Sequence, residues 1–284
     1  MRVILIGLGL VVLVVALAGL GLGALRWWDT RIDARSMQYL KAQQAVRPEV
    51  FDLSMLEGLP EPAQRYYRFA LAEGTPLWTL AELRMRGTLT LNGVEQPMEA
   101  VQVLAPPHGF VWQVELTGKV KASGSDAMVF GDSWSRFRLF GLLPVARAGG
   151  ADHLRSSFGR RVGEGVFWTP AAYLPAAEAG WETLAWEASG TDVARVTVRS
   201  QGMEQSVEIT VDGEGRPVRV LFPRWSQENT ARVWQWQPFG GDLGGWEEFD
   251  GVRVPADVEG GNHYGTADYV PFFKARVTEV RFRR

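Results

Sequence analysis

Residues 82–93 read ELRMRGTLTLNG, and this stretch decides the fold. Leu83, Met85, Leu89 and Leu91 alternate with Glu82, Arg84, Arg86, Thr88 and Thr90. Period-two alternation is that of a strand with one buried face. Asn92-Gly93 then closes a tight hairpin, because both residues tolerate the left-handed backbone that such turns require. Outward from this hairpin, further strands are predicted at 98–104, 109–117, 125–130, 181–188, 193–200, 203–211, 217–223, 231–239, 246–250, 253–258 and 272–282. Short, turn-rich gaps between them call for antiparallel pairing, since parallel strands need crossovers of a dozen or more residues. Two helices interrupt the series. At 60–73, Pro60 and Pro62 suit a first turn, Ala63, Tyr66, Tyr67, Ala70 and Leu71 recur at helical spacing, and Gly74 follows as a stop. At 151–164, ADHLRSSFGRRVGE reads as a helix laid across or beside the sheet. The expected fold is α+β and mainly antiparallel β, a curved sheet with a few covering helices in one domain over residues 51–284.

The chain has 284 residues, 46% apolar and 22% charged, with a formal net charge of -2, a composition that folds. Without a basic excess, nucleic acid is not an expected partner. The absence of cysteine removes disulfides, thiolate metal sites and cysteine nucleophiles. Residues 3–25, VILIGLGLVVLVVALAGLGLGAL, are uninterruptedly apolar or glycine. As a helix they reach ~34 Å, enough to cross a hydrocarbon core of ~30 Å. Trp27 and Trp28 follow at headgroup level. Ala16-Leu17-Ala18 would fit a signal cleavage site, but the apolar run continues seven residues past it. An uncleaved anchor at 1–28 is therefore expected, then a juxtamembrane helix and linker at 29–50. Arg26, Arg31, Arg35 and Lys41 against Arg2 favour a cytoplasmic domain by charge. The very short N-terminal tail before a long apolar segment favours export, which we expect. Gly19 and Gly23 have the spacing of helix-pairing motifs, so a weak homodimer through the anchor is an allowed partner.

Chemistry is sparsely marked. His108, His153 and His263 lack metal-ligand spacing, and no nucleophile elbow or phosphate-binding loop occurs, so neither metal nor cofactor is expected. Arg160 and Glu164 lie four apart on one helical face and can pair. They either dock the helix on the sheet or form a polar anchor at a pocket mouth. Ten tryptophans lie beyond the anchor. Trp234 and Trp236 share one face of their predicted strand, and Phe110, Trp112, Val114 and Leu116 share one face of theirs. That aromatic face is either plain core or the wall of an apolar cavity.

Several stretches resemble a bacterial family of the domain-of-unknown-function 6544 type: LPEPAQRYYRFAL (59–71), PPHGFVW (106–112), RRVGEGVFWTPAAYLP (160–175), LAWEASGTDVARVTV (184–198) and residues 245–258. The resemblance implies a half-barrel similar to that of bacterial lipoprotein-carrier proteins. Ala172-Tyr173 stands where a leucine pair is more usual, so Tyr173 would narrow a cavity or add a polar handle. The function expected is a membrane-anchored, non-enzymatic envelope protein that holds a lipid or lipidated partner. Phe110, Trp112, Trp168, Trp234 and Trp236 would contact the apolar part, with Arg160 and Arg224 meeting an anionic head group and Glu164 beside them. Alternatives are an envelope hydrolase or transferase using Glu164, Asp152 or His153, or a structural module whose face is filled.

Overall fold

The structure, a computed structural model, describes residues 2–282. It begins with one helix, α1 (Arg2–Ala42), 41 residues long. Its Ile6–Ala42 part is long and apolar enough to cross a membrane. The anchor and the juxtamembrane helix read separately from the sequence are thus one rod. Nothing between them breaks a helix: Arg26 to Lys41 contain no proline or glycine.

A 13-stranded antiparallel sheet follows. Its first half is β1 (Ala81–Leu91), β2 (Val94–Ala105), β3 (Gly109–Leu116), β4 (Ala122–Val129), β5 (Asp132–Leu139) and β6 (Leu143–Gly149). The second half is β7 (Thr183–Ala188), β8 (Val193–Ser200), β9 (Met203–Val211), β10 (Pro217–Ser226), β11 (Gln235–Phe249), β12 (Val252–Asn262) and β13 (Val270–Arg281). Each half is a meander, and they join where β1 pairs with β13, so the strand order is 6-5-4-3-2-1-13-12-11-10-9-8-7. The sheet stays open, with β6 and β7 as its edges. The deciding hairpin forms as read: Leu91 pairs with Val94, and Asn92 and Gly93 have φ of 51° and 77°. Predicted strands 231–239 and 246–250 merge into one strand, β11, which begins only at Gln235 and which Gly245 carries through at φ +59°.

Alternation gives the sheet two faces. The inner one carries Leu83, Leu104, Phe110, Trp112 and Met128, and it receives α2 (Glu61–Ala70) and α3 (Ala151–Trp168). The helix predicted at 151–164 therefore runs four residues further. On the outer face, Val103, Val111, Ala127, Val129 and Trp134 form a smaller core with Leu40 of α1. The same rod that carries the apolar segment thus packs directly on the sheet.

Candidate ligand-binding site

Glycines let α3 approach the inner face at backbone distance. A Cβ at Gly163 would lie 2.3 Å from the Phe222 ring, and one at Gly165 would lie 2.4 Å from the Tyr173 hydroxyl. Phe158, Val162, Val166 and Phe167 fill the seam beneath the helix. Trp168 is fully buried and donates from Nε1 to the Pro255 carbonyl at 3.1 Å. Tyr173 is likewise buried, donates to the Arg161 carbonyl at 3.4 Å, and has its phenol pushed up by burial. Both residues are pillars of the core here. The hollow expected under the helix is occupied by their rings, because glycine at 159, 163 and 165 removes the side chains that would have held the helix away.

Beside this seam lies a polar cluster. Arg160 donates from Nε to Glu164 Oε1 at 2.6 Å and from Nη1 to Asp126 Oδ2 at 3.0 Å. Glu164 also accepts from Gln102 Nε2 at 2.7 Å, so the predicted helical pair ties α3 to β2 and β4. The Arg160 guanidinium stands 4.9 Å over Phe110 and 5.0 Å over Trp112. Burial works against its charge, but the two carboxylates raise its pKa overall. Arg224 of β10 differs. It stacks 4.7 Å over Phe239 and donates to Ser156 Oγ at 3.3 Å, and it forms no ion pair among the described residues. Burial, then the neighbouring charge of Arg160, pushes it down to about 10. Around these arginines, Phe239, Phe272 and Phe273 are half-buried, with Phe273 edge-on to Trp112 at 6.5 Å. Trp112 Nε1, Gln102 Oε1 and Gln237 Oε1 are buried there without hydrogen-bond partners. Gln102 sits opposite Trp112, and Gln237 opposite Arg224, on paired strands. Buried polar atoms are ordinarily satisfied, so these three, two acceptor oxygens and one indole donor, are exceptions to the packing around the arginines.

Residues 49–275 match the family of unknown function DUF6544. The chain belongs to that family. No curated protein matches it in sequence. Among solved structures, a LolA superfamily protein from Nitrosomonas europaea aligns with TM-score 0.39 at 11% identity, covering 78% of this chain and 92% of its own. A putative outer membrane lipoprotein-sorting protein domain from Vibrio parahaemolyticus aligns with TM-score 0.37 at 12% identity, covering 78% and 91%. The family assignment agrees with the sequence resemblance, and the open antiparallel sheet with its few helices agrees with the expected fold class.

Of the remaining predicted residues in this DUF6544 chain, Trp236 is 49% exposed and packs on Trp225, ring centroids 5.3 Å apart. It alternates away from Gln237 and Phe239 along β11. Trp234 precedes the strand and is half-buried. These two tryptophans do not join Phe110 and Trp112. Of the groups proposed for acid–base work, His153 and Glu164 are the two ends of one chain of contacts that runs through Ser135, Asp126 and Arg160. Asp152 accepts from Trp225 Nε1 at 2.8 Å. His153 contacts Ser133 Oγ at 2.8 Å and Ser135 Oγ at 3.0 Å, and burial pulls its pKa down. No cluster of potential metal ligands occurs among the described residues. Sequence reasoning missed Gln102, Asp126, Gln237, Phe239, Phe272 and Phe273. Gln102 did carry a signal, as a lone polar residue inside the apolar run AVQVLA (100–105).

Proposed function

We propose that this DUF6544 protein is a membrane-anchored, non-enzymatic component of the cell envelope that binds an anionic amphiphile, a lipid or the lipid part of a modified partner, at the Arg160–Arg224 cluster. The observation that carries the reading is Arg224: a half-buried guanidinium in no ion pair among the described residues, beside the unpartnered Trp112 Nε1 donor and a half-buried set of phenylalanines. An anionic head group would complete Arg224 with charge-assisted hydrogen bonds, each contributing about 1.5–3 kcal/mol. The first methylenes of a chain would lie on Phe239, Phe272 and Phe273, gaining about 0.8 kcal/mol per buried group. No bond is made or broken in this role. The residues offered for catalysis are instead held in place, Glu164 by Arg160 and Gln102.

In this reading the apolar part of α1 supplies the membrane anchor of an exported domain. Helix α1 then keeps the cluster close to its lipid source. The test is native mass spectrometry of the full chain ejected from nanodiscs containing phosphatidylglycerol and phosphatidylcholine. The wild-type chain should retain phosphatidylglycerol, and Arg224→Gln should lose it. A wild-type chain that appears only at its apo mass under conditions that preserve the fold contradicts the proposal.

A further inference from the structure

The hairpin between β5 and β6 carries an apolar tip, Leu139-Phe140-Gly141-Leu142-Leu143-Pro144-Val145. Phe140 is 73% exposed, Leu143 48% and Val145 55%. β6 is also an edge of the sheet and is exposed along its whole length. Bare apolar edges of this kind invite non-specific pairing, and proteins ordinarily blunt them with charge or cover them. Proline at 144 blunts the backbone but not the side chains. The turn itself is unusual. Phe140 and Gly141 take φ of 52° and 66°, so a phenylalanine occupies a left-handed position that large side chains rarely adopt. The related turn at Phe130, φ 59°, has a local reason: its ring packs on Tyr39 of α1 with centroids 4.3 Å apart. Phe140 has no ring partner among the described residues.

What covers the tip follows from how β5 lies along α1. From the Phe130 end, contacts descend the helix in step. Trp134 Nε1 donates to Asp33 Oδ1 at 3.1 Å, and Arg136 Nη1 lies 3.3 Å from Asp29 Oδ1. Arg138 and Arg147, which flank the tip, both pair with Asp29. At the tip, a Cβ on Gly141 would lie 3.0 Å from Arg26 Nη1. Arg26 is the first residue after the apolar run that ends at Leu25, and Trp27 and Trp28 beside it are exposed. The tip therefore stands at the level where α1 leaves the hydrocarbon. The neighbouring β3–β4 turn has the composition of a lipid-facing surface. Exposed Lys119 and Lys121 flank Val120, and the Phe140 N–H donates to the Lys121 carbonyl at 2.7 Å. Lysines at that level attract anionic head groups.

We infer that the β5–β6 tip is a second membrane-contact element, in which Phe140, Leu143 and Val145 embed in the same bilayer leaflet that α1 leaves, with Lys119, Lys121 and Arg26 at the head groups. Helix and hairpin would then hold the sheet at a fixed attitude to the lipid surface. This inference rests on α1 crossing the bilayer, and the experiment separates the two. The chain has no cysteine, so single-cysteine variants of the full protein can carry one environment-sensitive nitrobenzoxadiazole probe each. The positions are Leu13→Cys in the apolar segment, Phe140→Cys at the tip and Glu214→Cys on the β9–β10 turn. Each is reconstituted in vesicles of phosphatidylcholine and phosphatidylglycerol with or without doxyl-labelled lipid. Blue-shifted emission at 13 and 140 that doxyl lipid quenches and aqueous iodide does not, with the reverse at 214, supports the inference. Quenching by doxyl lipid at 13 but by iodide at 140 overturns the inference and leaves the anchor standing. Iodide quenching at 13 removes the anchor and the inference with it.

Discussion

Replacing Gly163 of α3 by alanine puts a methyl group 2.3 Å from Phe222 Cε1 and 2.6 Å from Cζ. Phe222 cannot swing aside freely, because its own strand is paired on both sides and its ring packs on Phe239 at 5.3 Å. Overpacking of this kind costs about 1–3 kcal/mol, against which alanine regains about 1 kcal/mol of helix propensity over glycine. A net loss of about 1 kcal/mol is expected. Gly159, one turn earlier, is the internal control. Its nearest foreign atom is Gln205 Oε1 at 3.0 Å, a contact that a shift of a few tenths of an ångström relieves without breaking the amide's hydrogen bonds to the Ser206 and Pro223 carbonyls. There the propensity gain survives, and Gly159→Ala should stabilise by up to about 1 kcal/mol. The gap between the variants, about 2 kcal/mol, corresponds to roughly 4–8 °C in melting temperature for a domain of this size. Urea unfolding of the full chain in detergent, followed by tryptophan emission, would read it as opposite displacements of the midpoint at a common slope. Equal stabilisation by both substitutions would refute the filled seam and restore a hollow under α3.

Three further outcomes follow from buried charge. Asp29→Asn removes the carboxylate, 3% exposed in its side chain, that holds Arg136, Arg138 and Arg147, at a cost of about 3–5 kcal/mol local to the helix–sheet seam. Hydrogen exchange should rise over residues 26–42 and not in α3; unchanged protection there would count against the seam. Arg161 is fully buried, donates only from Nη1 to the Pro107 carbonyl at 2.5 Å, and leaves Nε and Nη2 unpartnered. Burial pushes it down to about 10, so Arg161→Met should stabilise by about 1–4 kcal/mol, and a lowered unfolding midpoint would contradict this. Burial also pulls His108 and His153 below the ordinary histidine value. The unfolded chain, titrating near 6.5, then binds protons that the folded one refuses. Stability is whole above about pH 6.5 and falls as pH drops below it. The His108→Gln, His153→Gln double variant should flatten the fall in midpoint between pH 7.5 and 5.5; an undiminished fall would place its cause elsewhere.

The hairpin at Asn92-Gly93 was legible because its turn residues are those the geometry prefers. β5 and β6 were not, for the same reason in reverse. Their turns put Phe130 and Phe140 at left-handed positions usually held by asparagine or aspartate, and β6 has no alternation because both its faces are exposed. The Arg160–Glu164 pair was readable from spacing within one helix, and the third partner, Asp126, was not, since pairing across 34 residues depends on sheet register. The tryptophans misled in a specific way. Trp168 looked like a ligand contact and is core because α3 carries glycine where it meets the sheet, a backbone approach that hydrophobic pattern does not encode. Trp236 keeps its predicted strand, but alternation turns it away from the residues it was grouped with.

Anionic binding at the Arg224 cluster is tested most directly by quenching of tryptophan emission in the full chain, in nanodiscs, by dibromostearate and by its uncharged methyl ester. Trp112, beneath Arg160, should be quenched by the acid in a saturable manner and far less by the ester. Arg224→Gln should abolish the difference, and Trp112→Phe should remove the quenched emission. Equal quenching by acid and ester, unchanged by Arg224→Gln, would contradict the account.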